Sequence, residues 1–180
     1  MLEIEQLAVS ELGLTEDMIT ENAGRGIAEA ALSQPPNIST TSNVWVLVGN
    51  HKSGSRAIAA ARHLKNRGVL VTLCLLGLER EEELMESVKR QLNIYRKIKG
   101  MVSSSEELLA SMSTSTSLPE LVVDALLGMH ISFEDLRTDD QATVFEMMSW
   151  TNRSGVEVIS VDMPSGLVGS TGESPTVGDL

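Results

Sequence analysis

Three short segments of the sequence carry side chains that could bind a ligand or take part in catalysis. GNHKSGSR (49–56), DALLGMH (124–130) and VDMPSG (161–166) each lie at the end of an apolar run. Asp124 and Asp162 could each hold a sugar hydroxyl, a metal ion or a proton. For either aspartate alone, a turn residue that accepts hydrogen bonds from nearby backbone amides is the simpler interpretation. Two aspartates close to a third polar loop favour a binding site, either in use or ancestral.

The elements that must position these segments alternate between strands and helices. Apolar runs predict strands at 44–48, 69–76, 101–102, 121–128 and 156–166, the last ending in a turn. Helical patterns cover 2–12, a segment capped by Thr15 that runs to about Leu32, and then 57–66, 81–99, 106–112 and 140–152. This alternation predicts an α/β fold with a mostly parallel sheet and a helical N-terminus. Ligands bind at the carboxyl ends of such strands, so the three polar segments should meet in one crevice.

Length and composition limit the classes of protein to which the chain can belong. Its 180 residues are enough for one domain, at 1–180, and short for two. No apolar run approaches the roughly 20 residues that span a bilayer, so we expect no membrane association. The single cysteine, Cys74, excludes a disulfide within the chain and favours a reducing compartment.

Charge is distributed unevenly along the chain. The net charge of −11 argues against broad, non-specific binding of nucleic acid by the whole domain. Residues 51–67 nevertheless contain no carboxylate, and their cationic side chains are Lys52, Arg56, Arg62, Lys65 and Arg67. This run predicts either a local cationic face or an ordinary solvated helix face.

Four parts of the sequence, in order, resemble the YjeF N-terminal domain family: TENAGRGIAEAAL, VLVGN with AARHL, VVDALLG, and SVDMPSGL with STGE. They cover nearly the whole chain. The resemblance implies a Rossmann-like three-layer α/β/α sandwich, whose enzymatic members are epimerases for hydrated NADH and NADPH. An NAD-like or other nucleotide is the ligand that it implies. Family members usually continue with further strands, so we expect the C-terminal edge of the domain to be truncated.

The resemblance also implies a nucleotide pocket and assigns residues to it. Asp124 matches the acidic residue tied to a potassium ion and to catalysis, Asp162 a substrate-binding carboxylate, and Ser165 an ion ligand. The implied pocket residues are Asn22, Gly49, Asn50, Lys52, Ser53, Gly54, Arg56, Asp124, Gly128, His130, Asp162 and Ser165.

The first loop departs from the family pattern, which resembles GPGNNGGDG. Lys52 and Ser53 stand on its two asparagines and Arg56 on its aspartate. A potassium ion needs oxygen ligands, whereas lysine and arginine side chains offer only donors. We therefore expect the ancestral potassium site at Ser53, Asp124 and Ser165 to be lost, with no catalytic residue and no required cofactor or metal. A further hypothesis is that Arg56 or Lys52 pairs with Asp124 in place of the ion.

One branch of the family has a similarly degenerate loop, namely the enhancer-of-mRNA-decapping scaffold proteins. The segments TEDMITENAGRGIAEAAL, GNHKSGSRAIAAARHL and LLGMHISFEDLRTDDQATVFEM are similar to the fungal versions. This likeness implies a non-catalytic homodimerisation domain that supports RNA binding, with mRNA-decapping factors as partners in cytoplasmic processing bodies. A working epimerase and a nucleotide-sensing domain without turnover remain the alternatives.

The N-terminal region is predicted to contribute to a two-fold symmetric homodimer. The first helix carries Ile4, Leu7 and Leu12, and the second helix is rich in small residues. Together the two helices offer more apolar surface than a short helix pair needs in order to cover a sheet. The alternative is that both helices simply pack on their own sheet.

Contact with RNA must be local in so acidic a protein. We expect it to be weak and not sequence-specific, because few aromatic side chains are available to stack bases. The residues predicted to contact RNA are Lys52, Arg56, Arg62 and Lys65.

Overall fold

A parallel sheet forms the centre of this computed structural model, which describes residues 2–34, 38–114, 118–129, 131–168 and 171–172. Within those residues the strands are β1 (Asn43–Val48), β2 (Leu70–Leu75), β3 (Met101–Ser103), β4 (Leu121–Ala125) and β5 (Glu157–Ser160). Their order across the sheet is β3-β2-β1-β4-β5, and all neighbouring pairs are parallel. The chain reverses its direction of travel across the sheet between β1 and β4, which is where ligands bind in open α/β sheets.

Helices cover both faces of the sheet. They are α1 (Leu2–Leu12), α2 (Glu16–Leu32), α3 (Lys52–Asn66), α4 (Glu86–Lys97), α5 (Ser105–Thr114) and α6 (Thr138–Ser154), with short 3₁₀ helices at Leu78–Glu83 and Phe133–Asp135. Buried side chains of α2, α3 and α4 form one apolar cluster with the sheet, and those of α5 and α6 form a second. The predicted three-layer α/β/α sandwich is therefore confirmed. None of the helices in the described ranges is long and apolar enough to cross a membrane.

Strand β1 explains why the central strands are apolar throughout. Its side chains alternate between the two faces, so that Val44, Val46 and Val48 join the first cluster. Trp45 and Leu47 join the second, together with Cys74 from β2. A strand covered on both faces has no solvated side, and hence no polar alternation in its sequence. Burial raises the pKa of the Cys74 thiol to about 12.

The start of α3 differs from the prediction, which placed it at residue 57. The helix begins at Lys52, so most of the predicted loop GNHKSGSR is helical. Two local contacts account for this. The imidazole of His51 caps the helix by accepting a hydrogen bond from the Gly54 amide, and the Ser55 hydroxyl donates to the Lys52 carbonyl.

Other predicted boundaries shift for similarly local reasons. The helix predicted at 81–99 is divided into the 3₁₀ helix at Leu78–Glu83 and α4, because the backbone is extended at Leu84. Strand β4 ends at Ala125, because the next amide, of Leu126, donates to the Asp124 side chain.

The two N-terminal helices contact the rest of the domain differently. Helix α2 buries small residues against α3, and a Cβ added at Gly24 would lie 2.5 Å from the Cβ of Ala59. Helix α1 leaves its apolar side chains in water, with Ile4 71% and Leu12 75% exposed. Helix α2 therefore packs on its own domain, as the alternative predicted, whereas the apolar side chains of α1 do not.

Two glycines on α2 provide a test of this packing. Gly24→Ala should lower the free energy of unfolding by about 1–3 kcal/mol, because the new methyl overlaps Ala59 and its backbone. Gly26→Ala is the matched control. Nothing lies within 4 Å of its added Cβ, so the same change should stabilise the helix by about 0.5–1 kcal/mol. Urea denaturation measures both, and equal effects of the two substitutions would contradict the packing described.

Candidate functional site

The three polar segments meet at the carboxyl edge of β1, β4 and β5. The Gly49 amide donates to the Ala125 carbonyl over 2.8 Å, which joins the first segment to the second. The Leu127 amide donates to the Ser165 hydroxyl over 3.0 Å, which joins the second to the third. The Ser53 hydroxyl donates to the Asp162 carboxylate and closes the circle. The three polar segments therefore meet at one edge of the sheet, as the sequence predicted.

Asp124 is the most heavily bonded side chain of the site. Its carboxylate accepts hydrogen bonds from the Ser165 hydroxyl at 2.6 Å, the Ser165 amide at 2.8 Å, the Leu126 amide at 3.2 Å and the Ser160 hydroxyl at 3.4 Å. It is only 8% exposed. Four donors occupy nearly all the lone-pair positions of a carboxylate, so Asp124 holds the ends of β4 and β5 together.

Asp162 lies next to this network in an unusual backbone conformation. Its φ of 66° is left-handed, a region that non-glycine residues seldom adopt but aspartate tolerates better than most. The residue is exposed, and its carboxylate accepts the hydrogen bond from Ser53. Local strain of this kind is common at binding sites. Asp162 therefore remains the carboxylate of the site that a ligand could reach.

His51 is a site residue that the sequence analysis missed. Its imidazole is 7% exposed and lies between the first and second segments. Nε2 is 3.2 Å from the Leu126 carbonyl, and Nδ1 accepts the Gly54 amide at 3.2 Å. Because Nδ1 is an acceptor, the proton is on Nε2 and the ring is neutral. Burial lowers the pKa of His51, in agreement with this neutral form.

The imidazole packs closely against Gly49 of the first segment and Gly128 of the second. A Cβ added at Gly49 would lie 2.8 Å from Nε2 of His51, and one at Gly128 would lie 3.1 Å from Nδ1. In the family pattern GPGNNGGDG the position of His51 is a glycine. The change from glycine to histidine at this position was the signal in the sequence that could have identified His51 as a site residue.

Lys52 and Arg56 do not contact Asp124, so the hypothesis of a tethered replacement for the ion is wrong. Arg56 pairs with Glu5 of α1 at 2.5 Å, and Lys52 pairs with Glu16 of α2 at 2.5 Å. The reason is the early start of α3. Residues four apart share one helix face, and this face is turned towards α1 and α2.

Two further basic side chains of the run 51–67 are also paired with an N-terminal helix. Arg62 and His63 both contact Glu21 of α2. Arg67 donates to the carbonyl of His63, and Lys65 has no ion pair within the part of the chain that is described. Glutamates of α1 and α2 therefore pair with Lys52, Arg56 and Arg62, so these three side chains do not form a free cationic face.

Of three further residues assigned to the pocket, one lies on α2, one links the first segment to α4, and one lies outside the described residues. Asn22 is exposed on α2 and accepts a hydrogen bond from Arg25. Asn50 joins the first segment to the start of α4, because its side chain accepts from the Met85 amide at 2.7 Å and donates to the Glu83 carbonyl. His130 lies outside the described residues.

A cavity of about 280 Å³ lies beside His51. Its wall includes Asn50, Leu126 and the ion pair of Arg80 with Asp140, whose atoms approach to 2.8 Å. Neither Asp124 nor Ser165 is among the described residues that line it. No group of three or more histidine, cysteine or acidic side chains in the described ranges is arranged to hold a metal ion.

Comparison with known proteins places this geometry in context. The family model for the YjeF-related protein N-terminus matches residues 16–178. An NAD(P)H-hydrate epimerase of Dehalogenimonas lykanthroporepellens is 31% identical over 97% of the chain, which spans 66% of that protein. Enhancer of mRNA-decapping protein 3 of Saccharomyces cerevisiae is 32% identical over 68% of the chain, which spans 23% of that protein. The crystal structure of yeast ynu0, YNL200c, superposes with a TM-score of 0.72 at 25% identity, covering 91% of this chain and 67% of that one.

The neutral state of His51 predicts a pH dependence of stability. Because its folded pKa lies below the ordinary value of 6.5, its contribution is complete above pH 6.5 and is lost as the pH falls towards the folded pKa. We expect the free energy of unfolding to fall by up to about 1.4 kcal/mol per pH unit in that range. His51→Asn, which retains a capping side chain, should remove this dependence, whereas His63→Gln should keep it. Urea denaturation at several pH values measures it, and an unchanged slope in His51→Asn would refute the assignment.

Proposed function

The chain belongs to the family of YjeF-related protein N-termini, and we propose that it uses this fold as a non-catalytic homodimerisation scaffold. The observation that carries the proposal is the position of His51. Its imidazole occupies the space between the first and second segments, and a hydrogen bond to the Leu126 carbonyl holds it there. A phosphate group would have to displace a buried, hydrogen-bonded ring to reach the loop backbone.

The state of Asp124 supports the same proposal. A general base or an ion ligand needs a lone pair directed at its substrate or ion. The carboxylate oxygens of Asp124 instead accept bonds from Leu126, Ser160 and Ser165. The Ser165 hydroxyl, a candidate ion ligand, is occupied as donor to Asp124 and acceptor from Leu127. The polar groups of Asp124 and Ser165 thus form hydrogen bonds within the domain.

A second candidate function is epimerisation of hydrated NADH or NADPH. It is favoured by the presence of Asp124, Asp162 and Ser165 together at one edge of the sheet. The relative from Dehalogenimonas lykanthroporepellens, named an NAD(P)H-hydrate epimerase, is similar over 97% of this chain. In this case His51 would have to leave its pocket when an NAD-like ligand binds, and Asp124 would have to exchange its donors for the substrate. A nucleotide sensor without turnover would need only the first of these changes.

The surface proposed for homodimerisation is α1 with the start of α2. Leu7 is 53% exposed, Ile4 and Leu12 more so, and Met18 of α2 is 54% exposed. The small residues of α2 face α3 and are not available. A two-fold related copy could cover these apolar side chains, and a stable interface should bury more than about 1,000 Å² in total.

The wider role proposed is in mRNA decapping. It rests on the likeness to enhancer of mRNA-decapping protein 3 from Saccharomyces cerevisiae and from Gallus gallus. Decapping factors as partners and a place in cytoplasmic processing bodies belong to this proposal. Weak RNA binding is also part of this proposal, but the RNA would first have to displace ion pairs within the domain. Lys52, Arg56 and Arg62 are engaged by glutamates of α1 and α2, so RNA would compete with those ion pairs.

The first prediction of this proposal concerns catalysis. The domain should not epimerise hydrated NADH faster than the spontaneous reaction, because His51 and the donors to Asp124 occupy the site. Asp124→Asn is the control, and it should leave the observed rate unchanged. Chiral chromatography of the two epimers measures the rate. Turnover that exceeds the spontaneous rate and disappears in Asp124→Asn would establish the epimerase instead.

The second prediction concerns assembly. Leu7→Lys should shift the domain from dimer to monomer, because it places a charge within the apolar surface of α1. Leu70→Lys is the matched control, since Leu70 is equally exposed, at 57%, at the start of β2. Sedimentation velocity at tens of micromolar protein distinguishes the two states. A wild-type monomer under those conditions, or dissociation by both substitutions alike, would contradict the proposed interface.

A further inference from the structure

An apolar groove runs between α5 and α6, on the opposite face of the sheet from α2 and α3. Its volume is about 570 Å³, which lies within the usual range of ligand pockets. One stripe of α5 and one of α6 form its walls, at the spacing of successive helical turns. The apolar side chains that line it are Leu109, Met112, Phe145 and Trp150.

The floor of the groove is fixed by the core beneath it. Trp150 stacks on Trp45 of β1 with their ring centroids 5.2 Å apart, and Met112 is buried. Phe145, at the rim, is in contrast 40% exposed. A rigid apolar floor with an exposed aromatic rim is typical of a surface that receives another apolar element.

A buried polar atom in the groove also lacks a partner. The hydroxyl of Ser149 lines the groove, the residue is 3% exposed, and its oxygen has no hydrogen-bond partner among the described residues. An unpaired buried hydroxyl costs free energy in the folded domain.

Two charged side chains of opposite sign flank the groove. Glu146 and Arg153 lie on the same helix, seven residues or about 10 Å apart, with Ser149 and Trp150 between them. Many other charges of this protein are paired, yet neither of these two forms an ion pair with any described residue. Among the described residues, the guanidinium of Arg153 has one acceptor, the Ser149 carbonyl, to which Nε donates. The groove thus has an apolar floor with an acidic end and a basic end.

We propose that this groove is a docking site for an amphipathic helix of a partner protein. The partner places apolar side chains, spaced three or four residues apart, against Met112, Phe145 and Trp150. An acidic residue near its own N-terminus meets Arg153, and a basic residue near its C-terminus meets Glu146. This arrangement also suits the dipole of the incoming helix, so the partner runs antiparallel to α6.

Charge argues against helix α1 of a second copy as the occupant. Helix α1, with the sequence LEIEQLAVSEL, is the exposed apolar helix of the proposed dimer surface. It carries three glutamates and no basic residue, so it would meet Glu146 with like charge. The proposed site is therefore distinct from the dimer surface on α1 and α2, and it does not depend on the proposed function.

A displayed library of helical peptides tests the proposal. Each peptide has about 15 residues, with Leu, Ile, Met, Phe and Trp randomised on one stripe. Half of the library has glutamate in the first turn and lysine in the last, and half has the reverse. Selection is carried out against the wild-type domain and against Glu146→Arg with Arg153→Glu. We expect the wild type to enrich the first half and the exchanged variant the second.

Affinities of the selected peptides, measured by tryptophan fluorescence and by calorimetry, complete the test. Each peptide should bind its matching domain about fivefold more tightly than the exchanged one. Phe145→Ser, at an exposed position, should abolish binding while the thermal unfolding remains close to that of the wild type. Absence of any selected peptide, equal binding to both charge arrangements, or binding unaffected by Phe145→Ser would overturn the proposal. So would tighter binding of the peptide LEIEQLAVSEL, which would identify a second copy as the occupant.

Discussion

The hydrogen bonds of the His51 imidazole determine how the functional edge of the sheet is arranged. Through Nδ1 the ring caps α3, and through Nε2 it bonds to the loop that follows β4. The cap makes α3 begin at Lys52. In the proposed function, the bond to Leu126 keeps a phosphate out of the crevice where the chain reverses its direction across the sheet. A single buried side chain thus converts a loop that could face a ligand into the first turn of a helix.

The early start of α3 also explains the arrangement of charges. Lys52 and Arg56 lie on a face that meets the N-terminal helices, where Glu5 and Glu16 neutralise them. Helix α1 is attached largely through Glu5, which is 16% exposed in its pair with Arg56. Its apolar side chains are not needed for this attachment and remain in water. The same contact that occupies the loop cations therefore presents an apolar surface for assembly.

The sequence predicted the parts of the fold that depend on apolar patterns. The α/β class and the central strands follow from the pattern of apolar residues along the chain. The start of α3 was missed because imidazole is not among the usual capping side chains. The ion pair of Glu5 with Arg56 joins residues 51 positions apart, and such pairs are not visible in local patterns. Convergence of the three polar segments was predictable from parallel topology, whereas the saturation of Asp124 by Ser160 and Ser165 required coordinates.

The closed state of the crevice can be observed directly through the nitrogen atoms of His51. Long-range proton–nitrogen NMR spectra distinguish a ring protonated at Nε2 from one protonated at Nδ1 or at both nitrogens. Near pH 7 the account predicts a neutral ring with the proton on Nε2, and no change in either nitrogen when NADH is added to millimolar concentration. A ring protonated at Nδ1, or a saturable change in its resonances that follows NADH binding, would contradict the claim that His51 closes the site.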